Sequence, residues 1–233
     1  FRRKWFILFG LFGAALLYGD GIITPTISVL SAVEGLEVAT PIFKPFILPI
    51  AIMIIIGLFM LQKSGSQTIG SWFGPIILTW FVTIAVMAVP WIIKRPDVFL
   101  SLNPLHAFNF FVEHKWGGFF VLGAVILCVT GGESLYADLW HFGLKPIRFA
   151  WSFVVFPALV INYFGQGAFL MSTGVEGIKN PFFSMAPDTL LYPLVFLATA
   201  ASVIASQALI TGLYSLTHQA TQLGYLPRLN VVH

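Results

Sequence analysis

Six long runs of apolar residues constrain the fold of this chain more than any other feature. They cover residues 5–33, 45–62, 72–93, 117–140, 147–171 and 189–222. An α-helix needs about 20 residues to cross the hydrocarbon core of a bilayer, and each run approaches or exceeds that length. Lipid offers no hydrogen-bond partners, so such segments must satisfy their backbone groups internally. The sequence therefore predicts an all-α, multi-spanning membrane helical bundle of about six spans, without a soluble domain.

The composition agrees with a membrane protein. Of the 233 residues, 58% are hydrophobic and 9% are charged, whereas soluble domains carry roughly 25% charged residues. The mean hydropathy is +0.91. The net charge of +3 comes from basic residues scattered along the chain in groups of at most three. Nucleic-acid-binding chains cluster their basic residues instead, so we expect no nucleic-acid partner.

The distribution of Lys and Arg predicts the orientation of the chain in the membrane. If its N-terminus is cytoplasmic, the inner loops hold seven cations: Arg2, Arg3, Lys4, Lys63, Lys145, Arg148 and Arg228. The outer loops then hold five: Lys44, Lys94, Arg95, Lys115 and Lys179. Cytoplasmic loops carry the excess of positive charge. We therefore expect a multi-pass protein of the cell membrane with the N-terminus of this chain inside.

Two acidic residues, Asp20 and Glu133, lie well inside apolar runs, away from their ends. A carboxylate at the centre of a bilayer costs roughly 2.5 to 3.5 kcal/mol on insertion scales. Residues of this kind face a cavity, a cation or a proton pathway. The sequence therefore predicts a transporter of a positively charged substrate.

The first run contains a row of oxygen-bearing side chains in the string YGDGIITPTIS at 18–28. Asp20, Thr24 and Ser28 follow one another at four-residue spacing, which favours one helical face. Pro25 cannot donate to the carbonyl of Gly21, and a kink is expected there. Oxygen ligands suit a hard monovalent cation. The alternative is a kinked helix whose hydroxyls bond to their own backbone carbonyls.

The fourth run contains a second candidate, at residues 130–133. Gly131 and Gly132 weaken the helix, and irregular backbone at this depth is tolerated where it is buried in protein or lines a cavity. An interrupted helix exposes carbonyl groups that attract cations. Thr130 and Glu133 add two side-chain oxygens, and we expect them to meet Asp20, Thr24 and Ser28 in one polar cavity. Glycines that serve only helix packing are the alternative, although they leave Glu133 unexplained.

Other polar residues in the runs carry weaker signals. Asn162 and Gln166, one turn apart, are typical of hydrogen bonds between membrane helices. The last run carries four polar residues that either line a cavity or pack against a neighbouring helix: Ser202, Ser206, Gln207 and Thr211. The five histidines have no metal-ligand spacing. We expect no cofactor.

Several strings closely resemble those of the Kup/HAK/KT family of potassium uptake transporters. The longest is YGDGIITPTISVLSAVEGL at 18–36. The others are LQKSG at 61–65, GESLYAD at 132–138, HFG at 141–143, NYFGQGA at 162–168, NPFF at 180–183 and ASQA at 205–208. The resemblance extends along essentially the whole chain.

This resemblance implies a fold. Members of the family have the inverted-repeat transporter fold of the amino acid–polyamine–cation superfamily, with twelve spans and a cytoplasmic C-terminal domain. By this likeness the chain corresponds to family spans three to eight. The first span, with its own Gly-Asp motif at the cation site, would lie outside the chain. So would the last spans, the cytoplasmic domain and any homodimer contact.

The resemblance also implies a function, which is secondary active uptake of potassium with protons as the coupling ion. Asp20, Thr24, Ser28 and Thr130 would then bind potassium. A carboxyl group in low-dielectric surroundings is easier to protonate, and a bound cation opposes protonation. Asp20 and Glu133 could thus exchange roles, and we expect Glu133 to carry the proton. The expected partners are the potassium ion, the proton and the lipid bilayer.

Two other functions remain open at this stage. An importer of amino acids with the same fold would need a group that binds a carboxylate, and the one Lys or Arg within a predicted span, Arg148, lies at the very end of that span. An intramembrane aspartyl protease would use Asp20 together with the string PAL at 157–159. It would need a second aspartate at equal depth, but Asp138 lies near the interface. We therefore expect a protein that is not an enzyme.

Overall fold

In the computed structural model, residues 2–62, 70–129, 143–174 and 180–225 are described, and all regular structure within them is helical. The helices are α1 (Arg2–Ala39), α2 (Ile47–Gln62), α3 (Gly70–Lys94), α4 (Pro104–His114), α5 (Trp116–Val129), α6 (Leu144–Ala150), α7 (Phe156–Thr173), α8 (Pro181–Ser184) and α9 (Leu191–Gln222). Short 3₁₀ turns cover Pro41–Phe46, Pro96–Leu102 and Asp188–Leu190.

Five stretches of the described chain are helical, long and apolar enough to cross a membrane. They are Leu8–Ala39, Pro41–Met60, Trp72–Lys94, Leu144–Thr173 and Asp188–Gln222. The expectation of an all-helical membrane fold is thereby confirmed. The predicted run at 117–140 begins in α5, and the part of it from residue 130 lies outside the described residues. The interruption expected at Gly131 and Gly132 therefore lies outside them too.

Helix α1 is α-helical without a break across Pro25 and continues beyond the predicted end of the first run, as far as Ala39. Membrane helices tolerate an internal proline because neighbouring groups satisfy the freed backbone oxygen. After the helix, the Thr40 amide donates to the Leu36 carbonyl at 2.9 Å. The Lys44 ammonium lies 3.3 Å from the Glu37 carboxylate, so a short polar segment joins α1 to α2.

The chain forms two compact units, and the first contains α1, α2 and α9. Its apolar core lies between α1 and α2, where Val29 and Val33 pack with Ile47 and Ala51. Because these four side chains are at most 7% exposed, they bury most of their apolar surface against one another. That packing supports the part of α1 that follows Ser28.

The second unit contains α4, α5, α7, α8 and the part of α3 from Phe81 onward. Helices α3 and α7 approach closely where Gly165 meets Ala88, since a Cβ atom added at Gly165 would lie 2.3 Å from the Ala88 Cβ. The Trp91 indole nitrogen donates to the Met185 carbonyl at 3.1 Å. Its ring also meets Phe169 edge-on at 4.8 Å. Small residues and one tryptophan thus hold the end of α3 to α7 and α8.

The polar connection after α3 is held by a bidentate ion pair between Arg95 and Asp97. The Arg95 Nε and Nη2 atoms donate to the two carboxylate oxygens at 3.1 and 2.8 Å. The hydrogen bonds from Arg95 lower the pKa of the Asp97 carboxyl. The Asn103 side chain then accepts from the Leu105 amide at 3.1 Å and caps the start of α4. Local hydrogen bonds therefore define this connection.

A turn of π-helix, Trp151–Val155, joins α6 to α7. The Phe156 amide donates to the Trp151 carbonyl, five residues earlier. Pro157 follows, and in a regular α-helix its ring would clash with the carbonyl of Phe153. The wider turn relieves that clash and keeps the helix continuous. Pro157 is thus the physical reason for the irregular turn.

We expect Gly165→Ala to destabilise the full-length protein, because the new Cβ would also lie 2.6 Å from the Ala88 Cα, a backbone atom. Overpacking of this kind costs about 1–3 kcal/mol. Gly57→Ala is the matched control, since a Cβ there meets nothing within 4 Å. The melting temperature of each purified variant in detergent is the measurement. Equal melting temperatures would show that α3 and α7 do not approach this closely.

Candidate cation-binding site

The structure brings two of the predicted ligands, Asp20 and Thr24, into direct contact. The Thr24 hydroxyl donates to Asp20 Oδ1 at 2.6 Å. Asp20 is half-buried, Thr24 is exposed and Ser28 is half-buried. The four-residue spacing read from the sequence therefore corresponds to a real hydrogen bond between side chains of adjacent turns.

The hydrogen bond of Thr24 differs from that of other threonines in the described helices. A threonine in a helix commonly donates to the carbonyl four residues earlier. That arrangement occurs at Thr26, Thr79, Thr173, Thr199, Thr211, Thr217 and Thr221. The alternative interpretation of the first run therefore holds for Thr26, whereas Thr24 directs its hydroxyl to a carboxylate.

Helices α1 and α9 pack closely beside this pair. A Cβ atom added at Gly21 would lie 1.8 Å from Leu213 Cδ1, so only glycine fits there without movement of the leucine. Asp20 immediately precedes this contact and Thr24 follows it by one turn. Close helix packing thus fixes the backbone that carries the candidate site.

Two hydrogen bonds define the register of α1 against α9. The Tyr18 hydroxyl bonds to the Thr217 hydroxyl, and the Thr40 hydroxyl bonds to the Tyr192 hydroxyl at 2.8 Å. Residue numbers rise along α1 as they fall along α9, so the two helices are antiparallel. Because Thr217 donates to the Leu213 carbonyl, Tyr18 is the donor in the first of these bonds.

The three predicted ligands on α1 wind around the helix and do not form a straight row. With 3.6 residues per turn, Asp20 lies about 100° from Gly21. Ser28, seven residues after Gly21, lies only about 20° from it. Asp20 and Thr24 therefore lie to one side of the contact with α9, and Ser28 lies within it.

The remaining predicted ligands, Thr130 and Glu133, lie outside the described residues, so their convergence with Asp20 stays a prediction. Among the described residues, no three His, Cys, Asp or Glu side chains cluster as they would around a metal ion. The candidate site in the described part therefore consists of one carboxylate and neutral hydroxyl oxygens.

Two of the polar residues that carried weaker signals in the sequence are buried. Ser206 is 3% exposed and Asn162 is 6% exposed. Neither Ser206 Oγ nor Asn162 Oδ1 has a hydrogen-bond partner within the described ranges. The partner expected for Asn162 on another helix is thus not found there. Ser206 precedes Leu213 by seven residues, and Ser28 follows Gly21 by the same number. This equal spacing is the sequence feature that relates Ser206 to Ser28.

Comparison with known proteins gives a match over the whole chain. The family described as the K+ potassium transporter integral membrane domain matches residues 1–233. The probable potassium transport system protein Kup 3 of Dechloromonas aromatica is 56% identical over 232 residues, which is 100% of this chain and 37% of that protein. The corresponding Kup protein of Azoarcus sp. is 52% identical over 233 residues, 100% of this chain and 36% of that protein.

A third relative, the probable potassium transport system protein Kup 2 of Syntrophobacter fumaroxidans, is 55% identical over 221 residues. The match covers 95% of this chain and 34% of that protein. The chain thus spans little more than a third of the length of these curated relatives. No solved structure gives a significant match.

We expect cysteines at positions 21 and 213 to form a disulfide in the full-length protein with Cys128 replaced by alanine. The ideal Cβ at Gly21 lies 2.9 Å from Leu213 Cγ, so the two Cβ atoms fall within the ~3.5–4.5 Å range of disulfides. Gly21→Cys with Leu209→Cys, one turn away along α9, is the control. Maleimide-polyethylene glycol labelling before and after mild oxidation counts the free thiols. Protection of the control pair alone would refute the register.

Proposed function

Since the chain belongs to the potassium transporter family whose integral membrane domain it matches along its whole length, we propose that its full-length parent takes up potassium across the cell membrane. Its relatives from Dechloromonas aromatica and Azoarcus sp. both carry the name probable potassium transport system protein. The observation that carries the proposal is the hydrogen bond of Thr24 to Asp20 within a membrane-spanning helix.

The chemistry of this pair suits a monovalent cation. Thr24 uses its proton toward the carboxylate, so the lone pairs of its oxygen remain available to a cation beside Asp20. A single carboxylate balances one positive charge, and neutral hydroxyl oxygens replace part of the hydration shell. Hard oxygen ligands of this kind favour alkali cations over transition metals. The pair thus supports potassium as the substrate.

The proposed site contains Asp20, Thr24 and Ser28 from α1 together with Thr130 and Glu133. Asp20, Thr24 and Ser28 follow one another at four-residue spacing on α1. Thr130 and Glu133 are included because of their spacing in the sequence, beside two glycines in an apolar run. No cofactor beyond the transported ions is part of this proposal.

The proposed mechanism couples potassium to protons. A membrane potential of 100 mV supplies about 2.3 kcal/mol per charge, which corresponds to roughly 50-fold accumulation of a monovalent cation. Steeper accumulation requires a second driving ion. A carboxyl group that alternates between a proton and a cation provides this coupling, and Glu133 is the proposed carrier. Asp20 would then remain with potassium.

The finer architecture is also a proposal. Five apolar spans in the described part support the inverted-repeat fold of the amino acid–polyamine–cation superfamily. The excess of Lys and Arg in alternate loops supports a cytoplasmic N-terminus for this chain in the cell membrane. A homodimer would form through segments outside the chain.

Neither alternative function gains support. The family is one of transport proteins rather than enzymes, and the relatives named above are potassium transport proteins rather than amino acid importers or proteases. Asp20 bonds to a threonine of its own helix, whereas an aspartyl protease requires a second aspartate beside the first. Potassium transport is therefore the function that these observations favour.

We expect Asp20→Asn and Thr24→Val in the full-length parent to raise the rubidium concentration for half-maximal uptake by roughly tenfold, equivalent to about 1.4 kcal/mol. Asp20→Asn removes the charge, and Thr24→Val removes a coordinating oxygen without changing the size of the side chain. Thr26→Val is the control, because the Thr26 hydroxyl donates to the Ile22 carbonyl at 2.8 Å. The measurement is rubidium influx against external concentration. Equal effects of Thr24→Val and Thr26→Val would count against the site.

We expect Glu133→Gln in the same parent to impair concentrative uptake, and the remaining uptake to depend less on pH than that of the wild type. Glutamine keeps the size and hydrogen bonding of the side chain but can neither bind a proton nor hold charge. Rubidium influx at two external pH values, one acidic and one neutral, is the measurement. A Glu133→Gln variant with full and normally pH-dependent uptake would exclude Glu133 as the proton carrier.

A further inference from the structure

The contact between α1 and α9 brings two serines to the same level. Gly21 meets Leu213. Ser28 follows Gly21 by seven residues, and Ser206 precedes Leu213 by seven. Because the helices are antiparallel, these equal steps of two helical turns each lead to the same height. Seven residues also return to nearly the same side of a helix, so Ser28 and Ser206 both lie in the contact.

The hydroxyl of Ser206 lacks the hydrogen bond that its neighbours make. On the same helix, Thr199 and Thr211 donate to the carbonyl four residues earlier at 2.8 and 2.9 Å. Ser206 is 3% exposed, and its Oγ has no partner in the described part of the chain. Leaving a buried hydroxyl unpaired costs about 1–3 kcal/mol. A ligand that supplies the missing interaction would recover that cost.

The position of Ser28 connects this level to the candidate site. Ser28 lies one turn after Thr24 on α1 and is half-buried. Its angular position falls between that of Thr24 and the face of α1 that packs on α9. A series of oxygens therefore leads from the charged pair, Asp20 and Thr24, to a level where only neutral hydroxyls remain. Ser206 is the member of this series that α9 supplies.

We infer that Ser206, together with Ser28 of the proposed site, forms a second, neutral position for the transported monovalent cation, about one helical turn beyond Thr24 and two beyond Asp20. This inference rests on the proposed function. Ions pass through a transport site when binding is strong enough for entry and weak enough for release, which several adjacent weak positions provide. A binding position without a carboxylate holds the cation less tightly than the position beside Asp20. Ser206 would thus help the ion leave the charged pair.

Replacement of the Ser206 oxygen by sulfur tests direct contact with the ion. Ser206→Cys keeps the size of the side chain but exchanges a hard ligand for a soft one. In the full-length parent, we expect the ratio of thallium to rubidium uptake to rise several-fold, because thallium(I) is a soft monovalent ion. Thr199→Cys is the control: Thr199 lies one heptad away, and its hydroxyl is already bonded to the Val195 carbonyl. A structural role alone would not change this ratio.

Ser28→Cys provides a second variant from the opposite helix, and we expect it to change the ratio in the same direction. Ser28→Ala and Ser206→Ala should each raise the rubidium concentration for half-maximal uptake several-fold. Their effects should be non-additive in the double variant, as for two ligands of one ion. These variants also address the case in which Ser206→Cys fails to fold.

The outcomes separate this inference from the proposed function. Wild-type rubidium uptake with unchanged ion ratios in both cysteine variants would overturn the second position and leave potassium transport intact. The same holds if Ser206→Ala behaves as the wild type, because the Ser206 oxygen would then not contact the ion. Absence of rubidium uptake by the wild-type parent would instead overturn the proposed function.

Discussion

The inability of lipid to accept or donate hydrogen bonds is the constraint on which this structure depends. It forces the backbone into helices and leaves polar side chains to find partners on their own helix or on a neighbour. Most threonine hydroxyls in the described helices donate a hydrogen bond to the backbone carbonyl four residues earlier. Two hydroxyls differ from that background: Thr24 donates to the Asp20 carboxylate, and Ser206 has no hydrogen-bond partner in the described part of the chain. These are positions where packing alone does not account for the residue.

Much of the fold could be predicted from the sequence because membrane spans are defined locally. The length and apolarity of each run are properties of consecutive residues, and the long helices of the described part follow those runs. The spacing of Asp20 and Thr24 was informative for the same reason, since residues four apart meet on any α-helix. The expected kink at Pro25 is different. The α-helix continues through Pro25, and because a kinked helix can remain continuous, the kink itself stays a prediction.

Which helices pack against each other could not be predicted from the sequence. Nothing in α1 identifies α9 as its neighbour, since Tyr18 and Thr217 are 199 residues apart. The importance of Gly21 therefore became clear only from its contact with Leu213. The π-helical turn before Pro157 was missed as well. A proline predicts a disturbance there, but whether the helix ends, bends or widens is decided by the packing of the segments on either side.

The order of the two units along the chain has a consequence for synthesis. The first unit is discontinuous, because α1 and α2 precede the second unit and α9 follows it. At about 5–20 residues per second, the 199 residues between Tyr18 and Thr217 take about 10–40 s to translate. During that interval α1 is already made, and Asp20 has its own Thr24 as a partner while α9 does not yet exist. The hydrogen bond from Thr24 therefore gives the Asp20 carboxylate a partner within α1 before α9 is available to pack against that helix.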